Sequence, residues 1–362
     1  MKSRKQSFEA LRIVAMCMII AMHYMTKGMA LPKLSTDSSL SNHLWWLVYA
    51  FCVVAPNAYV LISGYFLVDK WNEEFDVRAY VSRGIRLVCE VLFYSWLVPV
   101  VLGAFGVIDI TSFEFGEILT MALPIEQEHY WFATSYIMLY LLSPVLSMGI
   151  KRLSKEQLKG VIIALLVLFS GFKSVNPYLI SWDRYGCDLA WFICLYVVAA
   201  YIKIYGFEKI KNLKQAFCLY SGLALLYFAE CALVAYIVRQ TGNMEYFMDM
   251  IYSYNHILVF AASVCFFAGF MYLSEKEKER EKGSIICLLG SYTFGIYLLH
   301  ENLSVRHSWY KWLGIDNIQG KGFGFIHMLV CIVIVFAVGA LIDAIRTGIF
   351  NCFKKNNNEG KK

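Results

Sequence analysis

Charged residues are scarce in this chain of 362 residues. Only 17% of the residues are Asp, Glu, Lys or Arg, whereas 59% are hydrophobic, so the mean hydropathy is positive. This composition excludes an ordinary soluble globular domain. It predicts an all-α, polytopic transmembrane helix bundle.

Other absences narrow the class of protein further. The 11 cysteines include no CxxC pair and no Cys/His spacing typical of ligands, so neither a disulfide framework nor a metal site is predicted. No linker rich in Pro, Gly or Ser marks off a soluble domain, and no internal repeat of the kind common in transporters is visible. We expect a single transmembrane domain over residues 1–350 and a disordered cytoplasmic tail over 351–362.

Ten apolar stretches have about the length needed to cross a membrane. With the N-terminus inside, 24 Lys and Arg residues fall on the inner side and eight on the outer side. This asymmetry predicts about ten spans with both termini cytoplasmic, and it explains the net charge of +6 without a nucleic-acid partner. The predicted spans are residues 9–26, 44–68, 85–107, 129–149, 160–172, 187–204, 214–238, 253–273, 284–301 and 323–350.

The first predicted span contains two ionisable residues, Arg12 and His23. Ionisable side chains inside a membrane span indicate a functional site by default. Eleven residues of α-helix turn through about 1100°, close to three full turns, so both side chains share a face and lie about 16 Å apart along the axis. A neutral imidazole is a common general base for a hydroxyl, so His23 is the candidate base.

Further candidates lie in the second span and in the cytoplasmic segment that follows it. Asn57 is polar within the membrane, and Ser63 and Gly64 permit either a ligand contact or close helix packing. Arg83 and Arg86 share a helical face. They could anchor the helix at the lipid headgroups or hold a phosphorylated donor through forked hydrogen bonds.

Two aromatic-rich segments are predicted to face outward. They bring Trp131, Tyr297, His300 and Glu301 to the outer membrane interface. Aromatic belts explain such residues without any function, although sugar rings also stack on surfaces of this kind. These four residues, together with Asn57 of the second span, are candidates for the acceptor side of a site. His300 and Tyr297 lie three residues apart on one face.

Six segments, taken in order, resemble the signature segments of the integral-membrane acyltransferase family three: FEALRIVAMCMIIAMHY, PNAYVLISGYFL, SRGIRL, HYWFATSYIMLYLLSPVL, LAWFICLYVVAAYI and SYTFGIYLLH. The resemblance spans nearly the whole chain. Its most specific elements are the R-x10-H pattern of the first span and the SGYFL and YLLH segments.

The resemblance implies a membrane O-acyltransferase of a bacterial plasma membrane. It implies transfer of an acyl group, usually acetyl from cytoplasmic acetyl-CoA, to a hydroxyl of an extracytoplasmic or lipid-linked glycan. His23 would then be the catalytic base, and Arg12 would bind the donor together with Arg83, Arg86, Ser63 and Gly64. Acetyl-CoA would be a co-substrate, with no bound cofactor and no metal. The alternative from the residues alone is a transporter or flippase of a lipid-linked sugar, in which Arg12, His23 and Glu230 line the path.

Overall fold

The computed structural model describes residues 5–71, 75–125, 127, 129–176, 183–243, 245, 247–248, 252–277, 284–318 and 322–359, with side chains up to residue 351. Regular structure within these residues is helical, and none of them forms a strand. The prediction of an all-α helix bundle is confirmed.

Fifteen helices are described below by number. They are α1 Gln6–His23, α2 Leu40–Cys52, α3 Ala55–Leu67, α4 Val77–Ala104, α5 Phe115–Ala122, α6 Trp131–Lys151, α7 Lys155–Leu166, α8 Phe172–Val175, α9 Leu189–Tyr205, α10 Leu213–Thr241, α11 Ile257–Glu275, α12 Ile285–Ser291, α13 Thr293–His300, α14 Trp309–Trp312 and α15 Gly324–Glu359. Short π-helical turns extend α1 over Tyr24–Gly28 and join α7 to α8 over Val167–Gly171.

Eight helical segments of the described chain are long and apolar enough to cross a membrane, which supports a multi-pass membrane protein. The other two predicted spans correspond to shorter apolar helices, Leu189–Tyr205 and Ile285–His300. The last helix continues to Glu359, into the predicted tail of 351–362, and residues 360–362 lie outside the described residues.

Two predicted spans are interrupted, and both interruptions shape the site described below. The second span breaks between α2 and α3, where Pro56 lies in the first turn of α3 and has no N–H to continue the hydrogen-bond ladder. The ninth span breaks at Tyr292, between α12 and α13. The short helix α13 can therefore take its own direction, and it ends at His300.

Helix α1 lies at the centre of the bundle. It packs against α2, α3, α11, α12, α13 and α15. About two thirds of the apolar part of α1 is buried inside the protein. Only about a quarter of the corresponding part of α4 or α10 is buried, so the apolar side chains of these two helices face outward toward lipid. The polar groups of α1 therefore face protein on most sides, which is where a membrane protein can carry them.

The predicted orientation can be tested by labelling with an impermeant thiol reagent on intact cells. Ser38 and Glu156 are both exposed, and the basic-residue asymmetry puts Ser38 outside and Glu156 inside. We expect a cysteine at Ser38 to be labelled and a cysteine at Glu156 to be labelled only after permeabilisation. The unaltered chain gives the background from its own cysteines, and the reverse pattern would invert the protein.

Candidate active site

His23, His300 and Glu301 meet at one end of the bundle. Nδ1 of His23 lies 3.1 Å from Nε2 of His300 and 3.1 Å from Oε1 of Glu301. His300 and Glu301 are buried, and the His23 side chain is 13% exposed. The sequence predicts His23 as a base and the other two as acceptor-side residues, and the fold joins all three in one cluster.

The backbone at the end of α1 adds a fourth member. His23 is the last residue of α1, and the π-helical turn Tyr24–Gly28 follows it directly. Lys27 lies in this turn, and its Nζ donates to both carboxylate oxygens of Glu301, at 2.5 and 2.7 Å. Single π-turns inside α-helices are frequent at functional sites. Here the turn carries the ammonium to the carboxylate.

The hydrogen bonds of the cluster fix which ring nitrogen of His23 carries the proton. Nδ1 of His300 lies 2.7 Å from the carbonyl oxygen of Ile296, and a carbonyl can only accept, so this nitrogen donates. In the neutral ring, Nε2 of His300 is then an acceptor. Nδ1 of His23 faces two acceptors, this nitrogen and the carboxylate, so it must be the donor. The lone pair of His23 is left on Nε2.

That lone pair is free to take a proton from another molecule. Nε2 of His23 makes no hydrogen bond to any residue that the structure describes. A base oriented through one ring nitrogen by a carboxylate, with the other nitrogen open, is the arrangement that activates hydroxyl nucleophiles. The charge gained on protonation would lie 3.1 Å from Glu301.

Glu301 remains ionised in spite of its burial. Burial by itself would favour the neutral form of this carboxyl, but the Lys27 ammonium donates to both of its oxygens and balances its charge. The carboxylate is therefore available as an anion throughout the physiological range. It can stabilise an imidazolium without itself being protonated.

The same three side chains are also a possible metal-ligand set. Each offers one ligand atom, and these atoms lie within 4.8 Å of one another. The ammonium of Lys27, however, already contacts both oxygens of Glu301 and balances its charge. The absence of a metal stays a prediction from the sequence.

Hydrogen bonds from neighbouring helices hold the chain that follows Glu301. Nδ2 of Asn302 donates to the carbonyl of Tyr94 at 3.1 Å and to the hydroxyl of Tyr130 at 2.8 Å. Nε2 of His129 accepts from the backbone N–H of Leu303 at 3.0 Å. Because α4 and the start of α6 fix this turn, Glu301 is held against α1.

Arg12 lies at the other end of the polar face of α1. Its Nη1 is 2.5 Å from Oε1 of Glu9, which is buried, while the arginine side chain is 27% exposed. The hydroxyl of Tyr59 donates to the Arg12 carbonyl at 2.6 Å. Arg12 is thus held in place by α1 and α3 and remains partly accessible.

Aromatic rings lie between the two ends of this face. Tyr59 contacts Phe132 edge-on at 6.1 Å, Phe132 contacts Tyr297 at 5.8 Å, and Tyr297 contacts His300 at 6.3 Å between ring centroids. Trp131, the neighbour of Phe132, stacks on Tyr254 at 5.7 Å. Two of the predicted acceptor-side residues, Trp131 and Tyr297, therefore belong to this aromatic wall.

The predicted polar residues of α3 make contacts within the bundle. Asn57 donates to the Tyr254 carbonyl and to Ser263, and accepts from Trp191 at 3.0 Å. Ser63 donates to the carbonyl one turn earlier. A Cβ on Gly64 would lie 2.8 Å from Ala199, so this glycine allows α3 and α9 to approach closely.

Arg83 and Arg86 lie away from His23, on the exposed side of α4. The guanidinium of Arg83 is 5.8 Å from the ring of Tyr140. An apolar groove of about 280 Å³ lies beside it and is lined by Tyr80, Val81, Gly84, Ile85, Val88, Cys89 and Leu141. The structure therefore does not bring these arginines into contact with Arg12, and their role in donor binding stays a prediction.

Two members of the polar clusters were not singled out from the sequence. Lys27 follows His23 by four residues, a spacing at which side chains on a helix can meet, but it reads as a loop residue at the end of a span. Glu9 precedes Arg12 by three residues, which is the usual spacing of a helical ion pair. Both spacings can be read from the sequence, but the contact of Lys27 with Glu301 becomes evident only in the structure.

The fold and this site define a multi-pass membrane protein with an oriented histidine side chain in its interior. Residues 5–343 match the family model described as an acyltransferase domain, which is nearly the whole chain. The chain belongs to this family, acyltransferase family three, and is a membrane acyltransferase. No curated protein and no solved structure matches it.

The pairing of Lys27 with Glu301 can be tested by a double-mutant cycle. Lys27→Met and Glu301→Gln each leave one largely buried charge without its partner, so each should lower the thermal stability of the purified protein. The double variant removes both charges, and we expect it to recover about 0.5–3 kcal/mol relative to the sum of the single changes.

The exposed pair Lys155 and Glu208 supplies the control for this cycle. Solvent screens that pair, so Lys155→Met and Glu208→Gln should show no comparable coupling. Purely additive losses at Lys27 and Glu301 would contradict a coupled pair.

Proposed function

We propose that this acyltransferase transfers an acyl group, acetyl in the simplest case, from cytoplasmic acyl-CoA to a hydroxyl of an extracytoplasmic or lipid-linked glycan. The observation that supports this most is the single open lone pair on Nε2 of His23, oriented by His300 and Glu301. Acyl transfer to a hydroxyl requires such a base, and the pair of neighbouring groups keeps it in the required tautomer.

In the proposed reaction, Nε2 of His23 accepts the proton of the acceptor hydroxyl as its oxygen attacks the thioester carbonyl carbon. The imidazolium that forms lies beside the carboxylate of Glu301, which favours its charge. When the carbon–sulfur bond breaks, the same proton passes to the departing CoA thiolate. His23 is then neutral again, and no further acid or base is needed.

The donor would approach along α1 from the Arg12 end. A CoA thioester has a charged nucleotide end and a long thin arm, and the rise of about 16 Å from Arg12 to His23 is comparable with that arm. The charged end would stay near Arg12 and the basic cytoplasmic rim. The aromatic wall of Tyr59, Phe132 and Tyr297 suits the uncharged arm.

The acceptor would approach from the opposite surface. The basic-residue asymmetry predicts that the loop after His300 lies on the outer side of the membrane, which we propose is a bacterial plasma membrane. A glycan hydroxyl entering there would meet His23 first. The half-buried ring of Trp131 would contact the sugar, whereas Tyr297 is buried in the aromatic wall.

Replacement of the base is the direct test of this proposal. We expect His23→Ala to lower acyl transfer by about 10²–10⁴-fold, because that is the usual contribution of a general base. The measurements are release of free CoA from acetyl-CoA in membranes and the acetyl content of the surface glycan, at matched amounts of protein.

His43→Ala is the matched control. The ring of His43 hydrogen-bonds to the Ser39 carbonyl in the first turn of α2 and belongs to no part of the His23 cluster. The His43→Ala variant should therefore retain activity. Full activity in His23→Ala at equal protein level would refute the role of His23 as the general base. Glycan flux without CoA release would favour the transporter alternative.

Arg12→Lys tests the donor side separately. Lysine keeps the charge and can keep the ion pair with Glu9, but it loses the planar fork that binds phosphate in two hydrogen bonds. We expect the KM for acyl-CoA to rise by about tenfold with a smaller change in kcat. An unchanged KM, together with a pH profile displaced from that of the wild type, would place Arg12 in proton transfer and not in donor binding.

A further inference from the structure

Arg306 carries a charge that no described residue balances. It lies on the turn after Glu301, and its side chain is half-buried. Its Nε is buried without a hydrogen-bond partner, and its guanidinium forms no ion pair with any residue that the structure describes. A half-buried guanidinium without a counter-ion is costly, so its retention at this position calls for a partner that binds there.

The charge of Arg306 lies near enough to His23 to act on its ring. The same charge also acts on His129 and Tyr130, which directly precede α6, and on His307. The nearby carboxylate, Glu301, is already bound through both oxygens by Lys27.

A second buried donor without a partner lies three residues further on. Trp309 is 4% exposed, and its indole Nε1–H makes no hydrogen bond within the described chain. Its helix, α14, packs against the π-turn that carries Lys27. Buried donors are nearly always satisfied, so two unsatisfied ones on a single turn beside a catalytic base indicate the place of a ligand that accepts hydrogen bonds.

We propose that Arg306 binds an anionic group of the acyl acceptor, a carboxylate or a phosphate, close to the hydroxyl that His23 deprotonates. This inference rests on the proposed acyl transfer to a glycan and adds that the glycan is acidic or phosphate-linked. The forked guanidinium matches both kinds of anion in two parallel hydrogen bonds. Anchoring a charge at this point also fixes which hydroxyl reaches Nε2 of His23.

Binding of small probes to the purified full-length protein tests the proposal without any need for turnover. The probes are glucose 1-phosphate, glucuronate and neutral glucose, and the readout is the rise in Tm with probe concentration. We expect one of the two anions to raise the Tm of the wild type and glucose not to. Response to glucose 1-phosphate alone assigns a phosphate, and response to glucuronate alone assigns a sugar carboxylate.

Three variants decide whether Arg306 is responsible. Arg306→Gln should weaken the apparent affinity for the responding anion at least about tenfold, and Arg306→Lys should weaken it less, since only the fork is lost. Lys311→Gln removes an exposed positive charge from the neighbouring helix α14 and should leave the affinity for the anion unchanged. If Arg306→Gln shows no cooperative unfolding, its Tm cannot be measured, and the comparison of anion affinity between the wild type and Arg306→Lys decides the question.

The outcomes separate this inference from the proposed function. No Tm rise with either anion, or an equal rise in wild type and Arg306→Gln, overturns the anion site. If CoA release still depends on His23 in that case, the acyl transfer stands and the acceptor is neutral. If the anion binds through Arg306 but CoA release does not depend on His23, the site stands and the proposed reaction fails.

Discussion

The contact between a buried carboxylate, Glu301, and the ring of His23 is the interaction on which the rest of this site depends. Glu301 must remain ionised away from water, and it does so because Lys27 supplies two hydrogen bonds and the opposite charge. Without that pairing, the cost of burying the carboxylate would favour its neutral form. His23 would then lose the anion that orients its Nδ1 proton and stabilises its protonated state.

The shape of the bundle follows from where these charges can be kept. Polar groups inside a membrane need protein partners, and α1 obtains them because six other helices surround it. Helix α13 begins after Tyr292 and ends at His300, which contacts His23 at the end of α1. The break before Pro56 divides α2 from α3. The peripheral helices α4 and α10 expose mostly apolar side chains, as lipid contact requires.

Much of the fold could be predicted from the sequence because each apolar stretch is a local signal. The shared face of Arg12 and His23 follows from helix geometry alone, and the alternation of basic loops predicts His23 and His300 near one surface. The role of Lys27 could not be predicted, since no local pattern shows that α1 ends in a π-turn. The exposed position of Arg83 and Arg86 also depends on how α4 packs, which is a tertiary property.

The positive charges near the two ends of α1 differ in whether a protein carboxylate balances them, and this difference bears on function. At one end, Arg12 is paired with Glu9 on its own helix, so its charge is balanced before any ligand binds. At the other end, Lys27 is balanced by Glu301, whereas Arg306 has no balancing group among the described residues. A donor at Arg12 must therefore compete with an existing ion pair, which suits a ligand that binds and leaves in each turnover.

An anionic acceptor at Arg306 would displace no protein partner, so its binding energy would be available to place its hydroxyl at His23.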